Sequence, residues 1–101
     1  MLVDVHAHLS HIAYKNEIDR VIENARKVGV KYILNSGVNS PSNRQVLELS
    51  KRYDIVKCSF GLYPIDLLGS VPDAAGLPRQ LEPINMEEEF EFIKKNLDKT
   101  F

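Results

Sequence analysis

The alternation of short apolar runs with amphipathic segments is the feature that most restricts how this sequence can fold. Short runs of β-branched and apolar residues predict strands at residues 2–5, 31–35 and 55–60. Apolar side chains at three-four spacing predict helices within residues 16–30, 39–53 and 85–99. Strands that alternate with helices in this way predict βα units with parallel strands and right-handed crossovers, and therefore an α/β fold.

The ends of the predicted helices carry recognisable signals. Gly29 is expected to stop the first helix. Ser40 is expected to cap the second helix, with Pro41 at its first position. For the third helix, Asn85 and Glu88 fit the spacing of a capping box.

The third helix has both an apolar stripe and an acidic first turn. Its predicted buried stripe consists of Met86, Phe90, Ile93 and Leu97. The run Glu87–Glu89 is interpreted as a solvated helix start that matches the helix dipole, rather than as a cluster of metal ligands. A barrel or open sheet would continue from this helix into a fourth strand, which would begin at about Phe101.

Residues 65–83 show neither helical nor strand periodicity, and their prolines and glycines predict one long irregular loop within a single domain of residues 1–101. Parallel strands need cover on both faces, which three helices cannot complete. We therefore expect a partial sheet with open edges, and self-association of the chain through those edges.

Composition excludes several classes of function. The net charge is −1, from 13 basic and 14 acidic residues, so bulk attraction to nucleic acid or to anionic membranes is not expected. The single cysteine, Cys58, lies in an apolar run and is predicted to be a buried, reduced thiol. Because the sequence shows no signal peptide and no apolar stretch of about 20 residues, it predicts a soluble, cytoplasmic protein without membrane contact.

The opening segment "MLVDVHAHLSH" contains the candidate chemistry. Residues two apart share a face of a strand, so Asp4, His6 and His8 would project together from the end of the first strand. Imidazoles suit zinc, iron, nickel or copper, and a nearby carboxylate adds affinity for magnesium or manganese. On spacing alone the histidines are either metal ligands or ordinary polar loop residues. His11, at an odd offset from His8, is expected to be a partly exposed loop residue.

The segment "DVHAHL" resembles the D-x-H-x-H signature of the amidohydrolase-like metal-dependent hydrolases, and most closely that of the TatD-related deoxyribonucleases. "YILNSGVN" and "SFGLYPIDL" resemble the second-strand and third-strand segments of the same family, so the resemblance covers nearly all 101 residues. It implies that the chain is the N-terminal βαβαβ(α) part of a TIM (β/α)8 barrel. It also implies one or two divalent metal ions, zinc, magnesium or manganese, at the carboxyl ends of the strands and phosphodiester hydrolysis of DNA.

Carried onto this sequence, the resemblance assigns His6 and His8 as metal ligands and Asp4 as a supporting residue. Tyr63 stands where the family usually has histidine, and it is expected to bind substrate through a hydrogen bond to phosphate. The family's bridging glutamate, two later histidines and last aspartate have no counterpart among these 101 residues. We therefore expect weak metal binding and little or no nuclease activity from a chain that corresponds to the first part of a barrel of about 250 residues.

Two other functions fit the same residues. The chain is alternatively a small non-catalytic α/β interaction module, or another metal-dependent phosphoesterase or amidohydrolase that acts on a small phosphoester or an amide. Chelation of a metal by His6 and His8 separates the interaction module from the two enzymes, and the substrate profile separates the enzymes from each other.

Overall fold

A computed structural model describes residues 1–63 and 85–100, and the predicted loop at 65–83 lies outside these ranges. The described strands are β1 (Leu2–Ala7), β2 (Val30–Ser36) and β3 (Val56–Ser59). The described α-helices are α1 (Ile18–Lys27), α2 (Ser40–Arg52) and α3 (Met86–Lys95). Short 3₁₀ turns occupy Ile12–Tyr14 and Leu97–Lys99.

The three strands form one parallel sheet in the order β1-β2-β3. The predicted α/β fold with parallel strands is therefore confirmed. Beyond β3, Thr100 forms a parallel bridge with Cys58. Since β2 occupies the other edge of β3, Thr100 lies where a fourth parallel strand would begin, as expected for a chain that leaves α3 toward the sheet.

The helices cover one face of this sheet. Two clusters of buried side chains lie there, one formed by Leu9, Ile22, Ile33, Leu49 and Val56, and the other by Val46, Leu47 and Cys58. Cys58 is fully buried and free, which confirms the predicted buried thiol. The strand β1 has little cover on either face, and its Val5 side chain is 70% exposed.

Two of the predicted helix ends are confirmed and one is wrong. Gly29 follows α1 with a positive φ of 91°, a conformation that favours glycine. Asn85 accepts a hydrogen bond from the backbone N–H of Glu88 and so caps α3, but the described contacts do not include the return bond from the Glu88 side chain that would complete the predicted capping box. The cap of α2 is Asn39 rather than Ser40, because the Asn39 side chain accepts from the backbone N–H of Ser42 while the Ser42 hydroxyl accepts from that of Asn39. Pro41 consequently follows the first helical position.

The predicted buried face of α3 is wrong at three of its four residues, and the fourth, Ile93, is half-buried. Phe90 and Leu97 are 55% and 57% exposed, and Met86 is also exposed, whereas Glu89 is only 1% exposed. The helix turns Glu89 and Phe92 inward because Arg44 of α2 binds the Glu89 carboxylate at 2.6 Å and lies over the Phe92 ring. The interpretation of Glu87–Glu89 as wholly solvated therefore fails at its last residue.

None of the helices in the described ranges is long and apolar enough to cross a membrane.

Candidate metal centre

The two histidines of the opening segment meet at the carboxyl end of β1. His6 lies within the strand and His8 follows its last residue, Ala7. The Nε2 atoms of the two rings are 3.1 Å apart, and the rings stand at 90° with centroids 4.7 Å apart. The structure therefore brings together the pair of side chains that the sequence selects.

His8 is held from its other ring nitrogen. Its Nδ1 lies 2.9 Å from the backbone carbonyl oxygen of Ser36, at the end of β2. Because a carbonyl oxygen only accepts, Nδ1 must carry the hydrogen, and Nε2 of a neutral His8 is then left with its lone pair. Histidine ligands of metals are commonly oriented by such a bond from the ring nitrogen that does not bind the metal.

Asp4 supports the backbone rather than a ring. Its carboxylate accepts a hydrogen bond from the backbone N–H of His6 at 3.0 Å. The pairing register between β1 and β2 shifts between Asp4 and Ala7, which interrupts the regular ladder around His6. The Asp4 side chain thus satisfies a backbone donor at an irregular point of the strand.

The separation of the two Nε2 atoms fits ligation of one metal ion. Two imidazole nitrogens at about 2.0–2.1 Å from a zinc ion are about 2.9 Å apart at a right angle and about 3.3 Å apart at a tetrahedral angle. The observed 3.1 Å lies between these values. A cleft of about 500 Å³ lies beside the pair, with Asp4, His6 and His8 in its lining, so the rings are accessible to an ion.

Only two ligands are assembled, however. Within residues 1–63 and 85–100, no group of three or more histidine, cysteine, aspartate or glutamate side chains is placed to hold a metal ion. Cys58 is not placed to act as a third ligand. It is buried on the helix-covered side of β3, where its Sγ donates to the Lys99 carbonyl oxygen at 3.1 Å. The described part of the site is therefore a two-imidazole pair.

The other candidate residues lie in loops. His11 is half-buried and its Nδ1 accepts from the backbone N–H of Ala13, so it caps the first 3₁₀ turn, in line with its expected place in a loop. Tyr63 is 43% exposed, and its backbone N–H donates to the Val38 carbonyl oxygen at 2.7 Å. That bond ties the segment after β3 to the loop after β2, at the same carboxyl edge of the sheet as the histidines.

Three buried amide side chains lie around this edge in addition to the residues that the sequence predicts for the site. Asn35 accepts from the backbone N–H of Leu9 at 2.8 Å. Asn43 of α2 both donates to and accepts from the backbone of Gly61, each at 2.9 Å, and Asn39 caps α2. Their spacing of four residues, 35, 39 and 43, is visible in the sequence, but spacing alone does not predict that the three amides lie together near the strand ends.

Comparison with known proteins adds independent information. A sequence profile of the family described as TatD related DNase matches residues 3–99. The metal-dependent hydrolase YabD of Bacillus subtilis (strain 168), named as uncharacterized, is 32% identical over 68 residues, which are 67% of this chain and 27% of that protein. The Mus musculus protein named "Putative deoxyribonuclease TATDN3" is 33% identical over 69 residues, which are 66% of this chain and 23% of that protein.

A third relative is shorter. A metal-dependent hydrolase encoded in the metS 3′ region of Geobacillus stearothermophilus, also named as uncharacterized, is 41% identical over 49 residues, which are 48% of this chain and all of that sequence. The matches to YabD and TATDN3 span only about a quarter of the length of those two proteins.

Proposed function

Because this chain belongs to the TatD related DNase family, we propose that it contributes two metal ligands, His6 and His8, to a hydrolase that cleaves phosphodiester bonds of DNA. The observation that carries the proposal is the approach of the two Nε2 atoms to 3.1 Å, with the opposite nitrogen of His8 bonded to Ser36. The family membership also supports a TIM-barrel context for the parallel βαβαβ segment described above.

The cofactor in this proposal is a divalent cation. Two imidazoles favour zinc, while magnesium and manganese prefer sites richer in oxygen ligands. Two of the relatives are named metal-dependent hydrolases, which supports a metal requirement here. A divalent cation supplies charge neutralisation at the phosphodiester and promotes ionisation of water near neutral pH.

Binding of one cation by both histidines requires a change of tautomer at His6. In the metal-free chain His8 Nε2 has a lone pair, so the 3.1 Å contact is satisfied when His6 Nε2–H donates to it. Ligation through both Nε2 atoms requires His6 to hold its hydrogen on Nδ1 instead. His8 needs no such change, because Ser36 already selects the ligating tautomer.

Substrate binding is assigned to the same edge of the sheet. Tyr63 is proposed to donate its phenolic hydroxyl to a phosphate oxygen, since its backbone is anchored to the loop after β2. The net charge of −1 gives no general attraction for DNA, so binding must depend on local contacts and on the cation.

The two-ligand site also limits activity. Catalytic zinc sites typically have three protein ligands, and the described residues bring together two. We therefore expect the 101-residue chain alone to bind zinc weakly and to hydrolyse phosphodiesters slowly or not at all.

The test is a calorimetric zinc titration of the wild-type chain, of His6→Ala and of His8→Ala, with hydrolysis of bis(p-nitrophenyl) phosphate and of DNA measured in parallel. His11→Asn is the matched control, because asparagine keeps the cap of the 3₁₀ turn. We expect weak binding that both alanine variants abolish and the control retains. Zinc binding that survives both alanine substitutions would refute the assignment, and efficient turnover that depends on His6 and His8 would refute the expected weakness.

A further inference from the structure

We propose that Asn35 is a positioning residue for His8, acting through the backbone of Leu9. The inference rests on the proposed function, because it concerns how one of the two proposed ligands is held. Within the described residues, the Asn35 amide forms no hydrogen bond to the imidazole ring. Its side chain holds the chain immediately after His8, so that the ring stays in register with the Ser36 carbonyl oxygen and its Nε2 stays directed at His6.

Three consecutive residues at the end of β1 are held by two consecutive residues of β2. Ala7 pairs with Asn35 in the parallel ladder. His8 Nδ1 donates to the Ser36 carbonyl oxygen at 2.9 Å. The backbone N–H of Leu9 donates to Asn35 Oδ1 at 2.8 Å. The Asn35 side chain therefore continues the attachment of β1 to β2 beyond the last ladder pair.

This attachment matters because the ladder itself is irregular near the site. The β1–β2 register shifts between Asp4 and Ala7, so on the N-terminal side of His8 the regular pairing is interrupted just before Ala7. On the other side, Leu9 is 6% exposed and belongs to the main core cluster, so its N–H needs a partner inside the protein. The Asn35 oxygen is that partner.

The identity of the residue is also informative. Asn35 is fully buried in a strand whose covered face otherwise carries Ile33. Such positions in parallel sheets are usually apolar. Within the described ranges its Nδ2 has no hydrogen-bond partner, so the amide occupies this position with one buried donor unpaired. The described contact that uses its polarity is the one to Leu9.

Asn43 provides a matched control. It is equally buried, and its amide bonds the Gly61 backbone through both atoms at 2.9 Å. Leucine has nearly the shape of asparagine, so Asn43→Leu and Asn35→Leu each remove one buried amide group while keeping a side chain of similar size. Only Asn35→Leu removes the bond to Leu9.

The experiment combines zinc titration with ¹⁵N-histidine NMR of the metal-free chain at a pH where the imidazoles are neutral. Loss of a partner that orients a metal ligand typically lowers metal affinity 10- to 100-fold. We expect Asn35→Leu to weaken zinc binding about tenfold and to convert His8 from one Nδ1–H tautomer to a mixture. Asn43→Leu should leave both the affinity, within about twofold, and the tautomer unchanged.

The outcomes separate this inference from the proposed function. If the wild-type chain binds no zinc through His6 and His8, the proposed function fails, but the tautomer comparison still tests Asn35. If Asn35→Leu keeps the wild-type tautomer and zinc affinity, the inference is wrong while the metal site stands. Should Asn35→Leu not fold, amide hydrogen exchange of Leu9 in the wild-type chain decides: protection supports the bond, and exchange at the rate of an open loop overturns the inference.

Discussion

An ion pair between Arg44 and Glu89 joins α3 to α2. Arg44 Nη1 lies 2.6 Å and 3.0 Å from the two carboxylate oxygens of Glu89. The two partners differ in environment, because the Glu89 side chain is 0% exposed and the Arg44 side chain is 48% exposed. The same guanidinium lies 4.2 Å from the centre of the Phe92 ring.

This asymmetry predicts unequal costs for the two single substitutions. Arg44→Met keeps the apolar stem over Phe92 but leaves a carboxylate buried without a counter-ion, and breaking a buried pair in this way costs about 3 kcal/mol of unfolding free energy. In Glu89→Leu the remaining charge is that of Arg44, which is already in contact with water. This substitution should therefore cost about 1 kcal/mol of unfolding free energy. The double variant should return to within about 1 kcal/mol of the wild type, because replacing both charges by apolar groups removes the desolvation penalty.

Urea denaturation followed by circular dichroism at one protein concentration measures these differences. Glu91→Gln is the control, since its pair with Lys94 spans 3.9 Å between side chains that are 76% and 75% exposed, and it should show no measurable change. The reasoning is refuted if Glu89→Leu is as destabilising as Arg44→Met, or if the costs of the two substitutions simply add in the double variant.

Two further predictions concern stability at high pH and association. Partial burial, and then the hydrogen bond from its hydroxyl to Asp19, raise the pKa of Tyr53 above 10.0, so its contribution to stability is complete below pH 10.0 and is lost as the pH rises through the folded-state pKa. Between about pH 9 and 11, the range in which tyrosine ionises, the midpoint of urea denaturation should fall less steeply for Tyr53→Phe than for the wild type. An equally steep fall in the variant would contradict this. We also propose that the chain self-associates through the open edge of β1, where Leu2 and Val5 are 54% and 70% exposed. Sedimentation should show dimers or larger species that Val5→Lys reduces, whereas a monomeric, cooperatively melting wild-type chain would count against the proposal.

Local sequence patterns are sufficient to predict the order and type of the described strands and α-helices, but not the two 3₁₀ turns. The strands are marked by β-branched runs, and α1 stops two residues before Gly29, whose positive φ favours glycine. Adjacent capping residues are harder to rank, since Asn39 and Ser40 both favour caps and the choice depends on which side chain reaches Ser42. These signals act over three or four residues, which is why they are visible in the sequence.

The buried face of α3 could not be predicted in this way. Its apolar spacing selects Phe90 and Leu97, but the helix instead buries Glu89, whose partner Arg44 is 45 residues away in the chain. The fold places the Arg44 cation of α2 against α3, and this counter-ion allows the side of α3 that carries Glu89 to be buried. Spacing within one helix contains no information about such a partner.

The candidate site, too, is predictable from the sequence only in part. The H-x-H spacing and the family resemblance select His6 and His8, because both lie at the end of one short strand. The contacts that orient them, from Ser36 to His8 and from Asn35 to Leu9, depend on the register between β1 and β2 and bridge 26 to 28 residues of sequence. They become visible only when the strands are paired.

The central claim is that the His6 and His8 Nε2 atoms bind one divalent cation together. Its most direct test is a zinc titration of the ¹⁵N-histidine-labelled chain, followed by long-range ¹H–¹⁵N NMR. We predict that Nε2 of His6 and of His8 shift together, that His6 transfers its hydrogen from Nε2 to Nδ1, and that His11 is unaffected. Shifts confined to one of the two rings, or equal shifts at all three histidines, would contradict the account.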